Sequence, residues 1–176
     1  MVLRHGGKIL VDQLKKNGVE RVFSVPGESF LAALDGLYES GIENIVCRHE
    51  GGATMMAEAD AKMTNRPGVV FVTRGPGATN ASSGIHVAMQ DSTPLIVFVG
   101  QVPLGHRDRE AFQEINYESF FSSVSKWVAE VKDVKRLPEY IARAFQVSQS
   151  GRPGPVILSL PEDVLSSSCE VLDRPK

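Results

Sequence analysis

Glu50 is the residue whose setting most suggests chemistry: it closes the run Asn44 to His49 and is followed by Gly51 and Gly52, which carry no side chains. A carboxylate at such a junction can accept a hydrogen bond from, or take a proton from, a flat ligand that approaches the backbone closely. It can equally be a first-turn acid favoured by a helix dipole. The dipole favours its anion and apolar neighbours disfavour it, so the direction of its pKa stays open at this level. The second such element is Thr73-Arg74-Gly75-Pro76-Gly77-Ala78-Thr79-Asn80. It looks like a phosphate loop but lacks the Gly-Lys-Ser/Thr of a Walker loop and the third glycine of a dinucleotide fingerprint. A tight Gly-Pro turn entering a helix is the alternative.

Other reactive side chains carry less. Cys47 lies within an apolar run and reads as a packed thiol. His49 neighbours Glu50, but successive strand residues face opposite sides, which disfavours a dyad. His86, in a small-residue helix, reads as core or interface, and the run His106 to Glu110 as a solvated loop or a ligand clamp.

The elements that must position these groups alternate. Candidate strands at Val19 to Val25, Asn44 to His49, Val69 to Thr73, Leu95 to Val99, Lys126 to Val131 and Val156 to Leu160 are mostly apolar on successive residues, the pattern of strands buried on both faces. Helical spacing over Lys8 to Asn17, Ser29 to Ser40, Gly51 to Thr64 and Leu137 to Ser150 fills the gaps, with Gly18, Gly41 and Gly151 as stops. The helix after Glu50 is expected to turn Met55, Met56, Ala59 and Met63 inward. Together these predict a doubly wound α/β fold with a mostly parallel six-stranded sheet and helices on both faces. In such sheets ligands bind beyond the carboxyl ends of the strands, where Pro26-Gly27-Glu28, Glu50 and the 73–80 loop fall.

The chain has 176 residues, 19 basic and 21 acidic, for a formal charge of −2. That suits one domain and offers no basic footprint for nucleic acid. The two cysteines form no disulfide framework or zinc site, and the apolar runs are strand-sized, so a cytoplasmic setting without membrane spanning is expected. Gln101 to Glu118 is a long polar connection, and 162–176 reads as a linker.

Taken in order, Arg48-His49-Glu50-Gly51-Gly52-Ala53, Thr73 to Asn80, Gly100-Gln101-Val102-Pro103, Ala111-Phe112-Gln113-Glu114 and Gly151-Arg152-Pro153-Gly154-Pro155 resemble the N-terminal pyrimidine-binding domain of thiamine diphosphate enzymes, with acetolactate synthase the nearest branch. The resemblance spans essentially the whole chain, giving a pyrimidine-binding domain over 1–161 and a linker over 162–176 toward a central domain absent here. It implies that Glu50 hydrogen-bonds N1′ of the aminopyrimidine and so drives formation of the reactive cofactor. It implies further that Pro26, Gly27, Thr73, Pro76, Asn80 and Gln113 surround that ring, and that Phe112 and Lys126 line the substrate entrance. Val102 and Pro103 match the channel wall, or serve as plain packing.

The activity so implied is decarboxylation and carboligation of 2-oxo acids, with pyruvate giving acetolactate in branched-chain amino acid biosynthesis. Thiamine diphosphate and Mg²⁺ are implied as cofactors, with FAD as an addition, in a homodimer or homotetramer. The Gly-Asp-Gly motif that holds Mg²⁺ and the diphosphate is not in this sequence, so no metal ligands are expected here and the cofactor is expected to be anchored on a partner subunit's diphosphate-binding domain. By itself the chain is expected to be inactive. Glu28 stands where many acetolactate synthases have a second glycine, which brings charge and bulk beside the cofactor position. A separate subunit of a two-chain 2-oxo acid decarboxylase, and a noncatalytic small-molecule-binding domain, are the competing readings.

Overall fold

The computed structural model describes residues 2–176. Six strands form one sheet in the order β3-β2-β4-β5-β7-β6, every neighbouring pair parallel. They are β2 (Arg21–Ser24), β3 (Glu43–Val46), β4 (Gly68–Val72), β5 (Leu95–Gln101), β6 (Trp127–Glu130) and β7 (Pro155–Pro161). The three runs that are apolar on successive residues become the central strands β4, β5 and β7, buried along their whole length. The edge strands β3 and β6 are only partly covered.

Crossovers of helical length place α1 (Gly6–Lys16), α2 (Leu31–Leu37) and α6 (Leu137–Gln149) on one face, with α3 (Glu50–Thr64), α4 (Pro76–Asp91) and the short α5 (Tyr117–Phe121) on the other. Alternation along β4 feeds both layers: Val69 and Phe71 join the α1/α6 side, Val70 and Val72 the α3/α4 side. The doubly wound parallel sheet expected from the sequence is the fold observed.

Three local expectations are corrected. Beyond its first two residues, the buried residues of α3 are Ala53, Thr54, Ala57, Glu58 and Ala61, whereas Met55, Met56, Ala59 and Met63 face outward. The reason is proximity, since a Cβ on Gly84 of α4 would meet Thr54, and one on Gly68 of β4 would meet the Ala57 backbone. Only small side chains fit at that separation. The helix expected over Ser29 to Ser40 begins as a 3-10 turn at Glu28–Phe30 and ends at Leu37, leaving Leu31 and Tyr38 exposed. His86 is exposed rather than core, because α4 presents Ile85 and Ala88 to the sheet.

Beyond β7, α7 (Glu162–Ser166) buries Val164 and Leu165, and β8 (Ser168–Cys169) pairs antiparallel with β1 (Arg4–His5). Arg174 exchanges two hydrogen bonds with Gln13 of α1, its N–H donating to Oε1 at 2.8 Å and its carbonyl accepting from Nε2 at 3.1 Å. The 162–176 segment therefore lies along the α1 face.

Candidate active site

The winding direction reverses between β2 and β4: from β2 the chain crosses to β3 at one edge, then returns to β4 on the other side and continues outward. A crevice opens at such a reversal, beyond the carboxyl ends of the strands. Here those ends carry Pro26 and Gly27 after β2, and Thr73 to Gly75 after β4, with Glu50 following β3.

Glu50 begins α3, whose N-cap is His49; the His49 ring Nδ1 accepts the Gly51 N–H at 3.0 Å. That bond gives His49 a capping role and no contact with the Glu50 carboxylate. Pro76 opens α4, where its missing N–H costs nothing, and places Asn80 one turn along. Asn80 Nδ2 donates to Glu50 Oε2 at 3.0 Å. Thr54 ties the two helices together, its hydroxyl 3.0 Å from the Glu50 and Gly51 carbonyls and 3.2 Å from that of Ala81.

The Glu50 side chain is buried, yet Oε1 accepts no hydrogen bond among the described residues. The surface around it is lined by absent side chains. A Cβ on Gly77 would come within 3.1 Å of Oε1 and 2.7 Å of Thr73 Cγ2, and one on Gly27 would run into the Thr73 side chain. Thr73 is held in turn by a 2.8 Å hydrogen bond between its hydroxyl and that of Ser29, which also accepts the Arg74 N–H at 3.3 Å. The outcome is a backbone-walled recess with one free carboxylate oxygen and one oriented amide.

A third wall comes from the long connection after β5. Gln113 adopts φ +64° and packs on Gly75, itself at φ +61°; a Cβ on Gly75 would lie 2.7 Å from that of Gln113. Gly75 N–H donates to the Tyr117 hydroxyl at 3.1 Å, and that hydroxyl donates onward to the Gly100 carbonyl at 3.3 Å. Burial pushes the Tyr117 phenol up to about 12, which keeps it a donor throughout the physiological range. Phe112, beside Gln113, is 76% exposed.

Of the residues named from sequence, Pro26, Gly27, Glu50, Thr73, Pro76, Asn80, Gln113 and Phe112 all fall on strand-end loops and first helical turns of the carboxyl edge. Lys126 does not join them. It precedes β6 at the opposite edge of the parallel sheet, and its ammonium donates to the Val147 and Ser150 carbonyls at 2.5 Å, closing the C-terminus of α6. Burial lowers its pKa. Val102 is buried, consistent with packing. Sequence reasoning missed Tyr117, whose hydroxyl bridges two loops, and gave no role to the charge of Arg74.

The chemistry suits the pyrimidine half of thiamine diphosphate: a carboxylate oxygen with no hydrogen-bond partner among the described residues, a neighbouring amide, and glycines in place of side chains beside them. Among the described residues no three His, Cys, Asp or Glu side chains gather as a metal site, and no helix is long and apolar enough to cross a membrane. Comparison with known proteins points the same way. Residues 4–120 match the family model described as thiamine pyrophosphate enzyme, N-terminal TPP binding domain. The chain is 45% identical over 163 residues, 92% of its length, to the mitochondrial acetolactate synthase of Schizosaccharomyces pombe. It is 37% identical over 166 residues to the acetolactate synthase of Bacillus subtilis, and 38% over 164 to the acetolactate synthase isozyme 2 large subunit of Escherichia coli. These alignments cover 24%, 29% and 30% of the relatives, so the chain spans about a quarter to a third of their length. The family match over most of the sequence places this chain in the thiamine pyrophosphate enzyme family, as its N-terminal TPP-binding domain.

Proposed function

We propose that this domain holds the aminopyrimidine of thiamine diphosphate against Glu50 within a longer 2-oxo acid decarboxylase and carboligase of the acetolactate synthase type, for which pyruvate is the substrate. The observation that carries the reading is the unequal state of the Glu50 carboxylate, with Oε2 taken by Asn80 and Oε1 free toward the glycine-walled recess. When bound, the cofactor supplies the acidic thiazolium carbon and the electron sink that decarboxylation of a 2-oxo acid requires.

Each residue then has a task. Glu50 Oε1 would hold or take a proton at the ring nitrogen of the bound cofactor, and Asn80 fixes the plane of the carboxyl group by its hydrogen bond to Oε2. Thr73, Pro26, Gly27, Pro76 and Gln113 are the residues that would hold the ring. The low exposure of the Glu50 side chain strengthens a hydrogen bond made there, through the lower local dielectric. Phe112, standing out at the rim, meets the incoming substrate. The diphosphate and Mg²⁺ belong to a separate domain contributed by a partner subunit, which makes the working assembly a homodimer or homotetramer; FAD is a further constituent. Residues 162–176 lead from this domain, taken as 1–161, toward a central domain. Cys47 and Cys169 are buried free thiols, in keeping with a reducing cytoplasmic setting.

Glu50→Gln in the full-length polypeptide tests the proposal. Turnover of pyruvate should fall by about 10²-fold or more, with circular dichroism and melting temperature preserved. Near-normal turnover in the folded variant would remove Glu50 from the chemistry.

A further inference from the structure

Arg74 is a charged residue buried where the chain has little need of one. Its side chain is 8% exposed, and a buried guanidinium is costly unless its hydrogens are used. Those hydrogens reach into three separate segments. Nη2 donates to Glu28 Oε1 at 2.6 Å, on the loop after β2; Nε donates to the Phe112 carbonyl at 3.4 Å, on the long connection after β5. Nη1 makes no hydrogen bond among the described residues and lies 3.7 Å from Glu162 Oε2, at the start of α7.

The segment that Arg74 touches does not hold its own shape cheaply. Asp108, Glu110 and Gln113 all have positive φ, a conformation unfavourable to residues with a Cβ. Internally it wraps around the Glu114 carboxylate, which accepts Arg107 Nη1 at 2.6 Å and the backbone N–H groups of Asp108 and Ala111 at 2.8 and 3.1 Å. Externally its two ends are tied by Arg107 Nε to Glu130 Oε2 at 3.3 Å and by Gln101 Nε2, which donates to the Ile115 carbonyl at 2.9 Å, while its tip is attached through Phe112 and through the contact of Gln113 with Gly75.

We infer that Arg74 is a positioning residue: its guanidinium, held by Glu28, clamps the Phe112 carbonyl and so keeps Gln113 seated on Gly75 as the third wall of the cofactor recess. The inference rests on the pyrimidine-binding reading above. It gives the unexpected charge of Glu28 a purpose, since that carboxylate is 67% exposed on its own side and points at a buried cation on the other. Because Nε, Nη1 and Nη2 diverge in a rigid fork, an ammonium cannot replace them at all three places.

The test measures amide hydrogen exchange over residues 107–116 in the full-length polypeptide, together with thiamine diphosphate affinity by titration. Arg74→Met should speed exchange over 108–113 by about tenfold or more while β4 and β5 keep their protection, and should weaken cofactor binding by about five- to tenfold. Arg74→Lys should fall between Met and wild type, and Glu28→Gln should give about a threefold faster exchange. Exchange within twofold of wild type in Arg74→Met overturns the clamp. If Arg74→Met fails to fold, the exposed Glu28 decides: unchanged exchange in Glu28→Gln overturns the clamp as well. A wild-type protein that binds no thiamine diphosphate overturns the pyrimidine reading, and with it the service Arg74 performs, whatever the exchange rates. Unchanged exchange beside normal cofactor binding overturns the clamp alone.

Discussion

On one face of the sheet Phe30, Phe71 and Phe98 stack with ring centroids 5.9 and 4.8 Å apart, beneath Leu10, Leu14 and Ile141. On the other, α3 and α4 meet through Ala53, Ala57, Ala81, Ala88 and Gly84. The first layer is joined by large side chains, which fill space and supply most of the apolar burial. The second brings backbones close, contributing less burial per residue and leaving little room for relative movement. Glu50 and Asn80 both sit in early turns of the close-packed pair. The layer that stabilises the domain is therefore not the layer that sets the 3.0 Å spacing between carboxylate and amide.

Substitutions should separate those two duties. Phe98→Ala should cost about 3–5 kcal/mol in chemical denaturation, by loss of transfer energy and a cavity. Below its lowered melting range it should bind thiamine diphosphate as wild type does. High pH probes the α3/α4 side: because the folded Tyr117 phenol stands at about 12, above its unfolded value near 10, its contribution is intact below about pH 10 and is lost as pH rises toward 12. The expected loss is on the order of 2–3 kcal/mol, read from denaturation midpoints across that window and absent in Tyr117→Phe. Gly84→Val should cost about 1–3 kcal/mol, since its Cβ would lie 2.5 Å from that of Thr54. It should nonetheless weaken cofactor binding more than Phe98→Ala does, by displacing α4 from α3; equal affinity in the two variants would break the comparison. Met63→Lys, on the outer face of α3 at 85% exposure, should shift stability by less than about 0.5 kcal/mol.

What the sequence made legible follows the same division. Strands such as the one beginning at Val69 announce themselves because four successive residues, Val69 to Val72, are apolar, and the glycines after them mark the carboxyl edge of the sheet. Helix α3 misleads because methionine outranks alanine on any scale of hydrophobicity, although only alanine fits against the Ala57–Gly68 approach. Two-residue strands β1 and β8 have no period to read. Resemblance alone assigns Lys126 to the substrate entrance, and within this chain the parallel register of β6 with β7 places it at the amino edge of the sheet, on the Val147 and Ser150 carbonyls. Tyr117 and Arg74 do their work through partners more than 15 residues away, which no local pattern encodes.

Gly27, Gly75 and Gly77 bear on how this site can change over evolutionary time. At each, even a methyl group meets Thr73, Gln113 or Glu50. No single substitution there enlarges or reshapes the recess; it can only obstruct it. Change in size or charge is open instead at the exposed Phe112, whose side chain stands outside those walls. A selection experiment that randomises Phe112 and leaves the glycines, Glu28 and Arg74 untouched changes the rim without disturbing the walls of the recess.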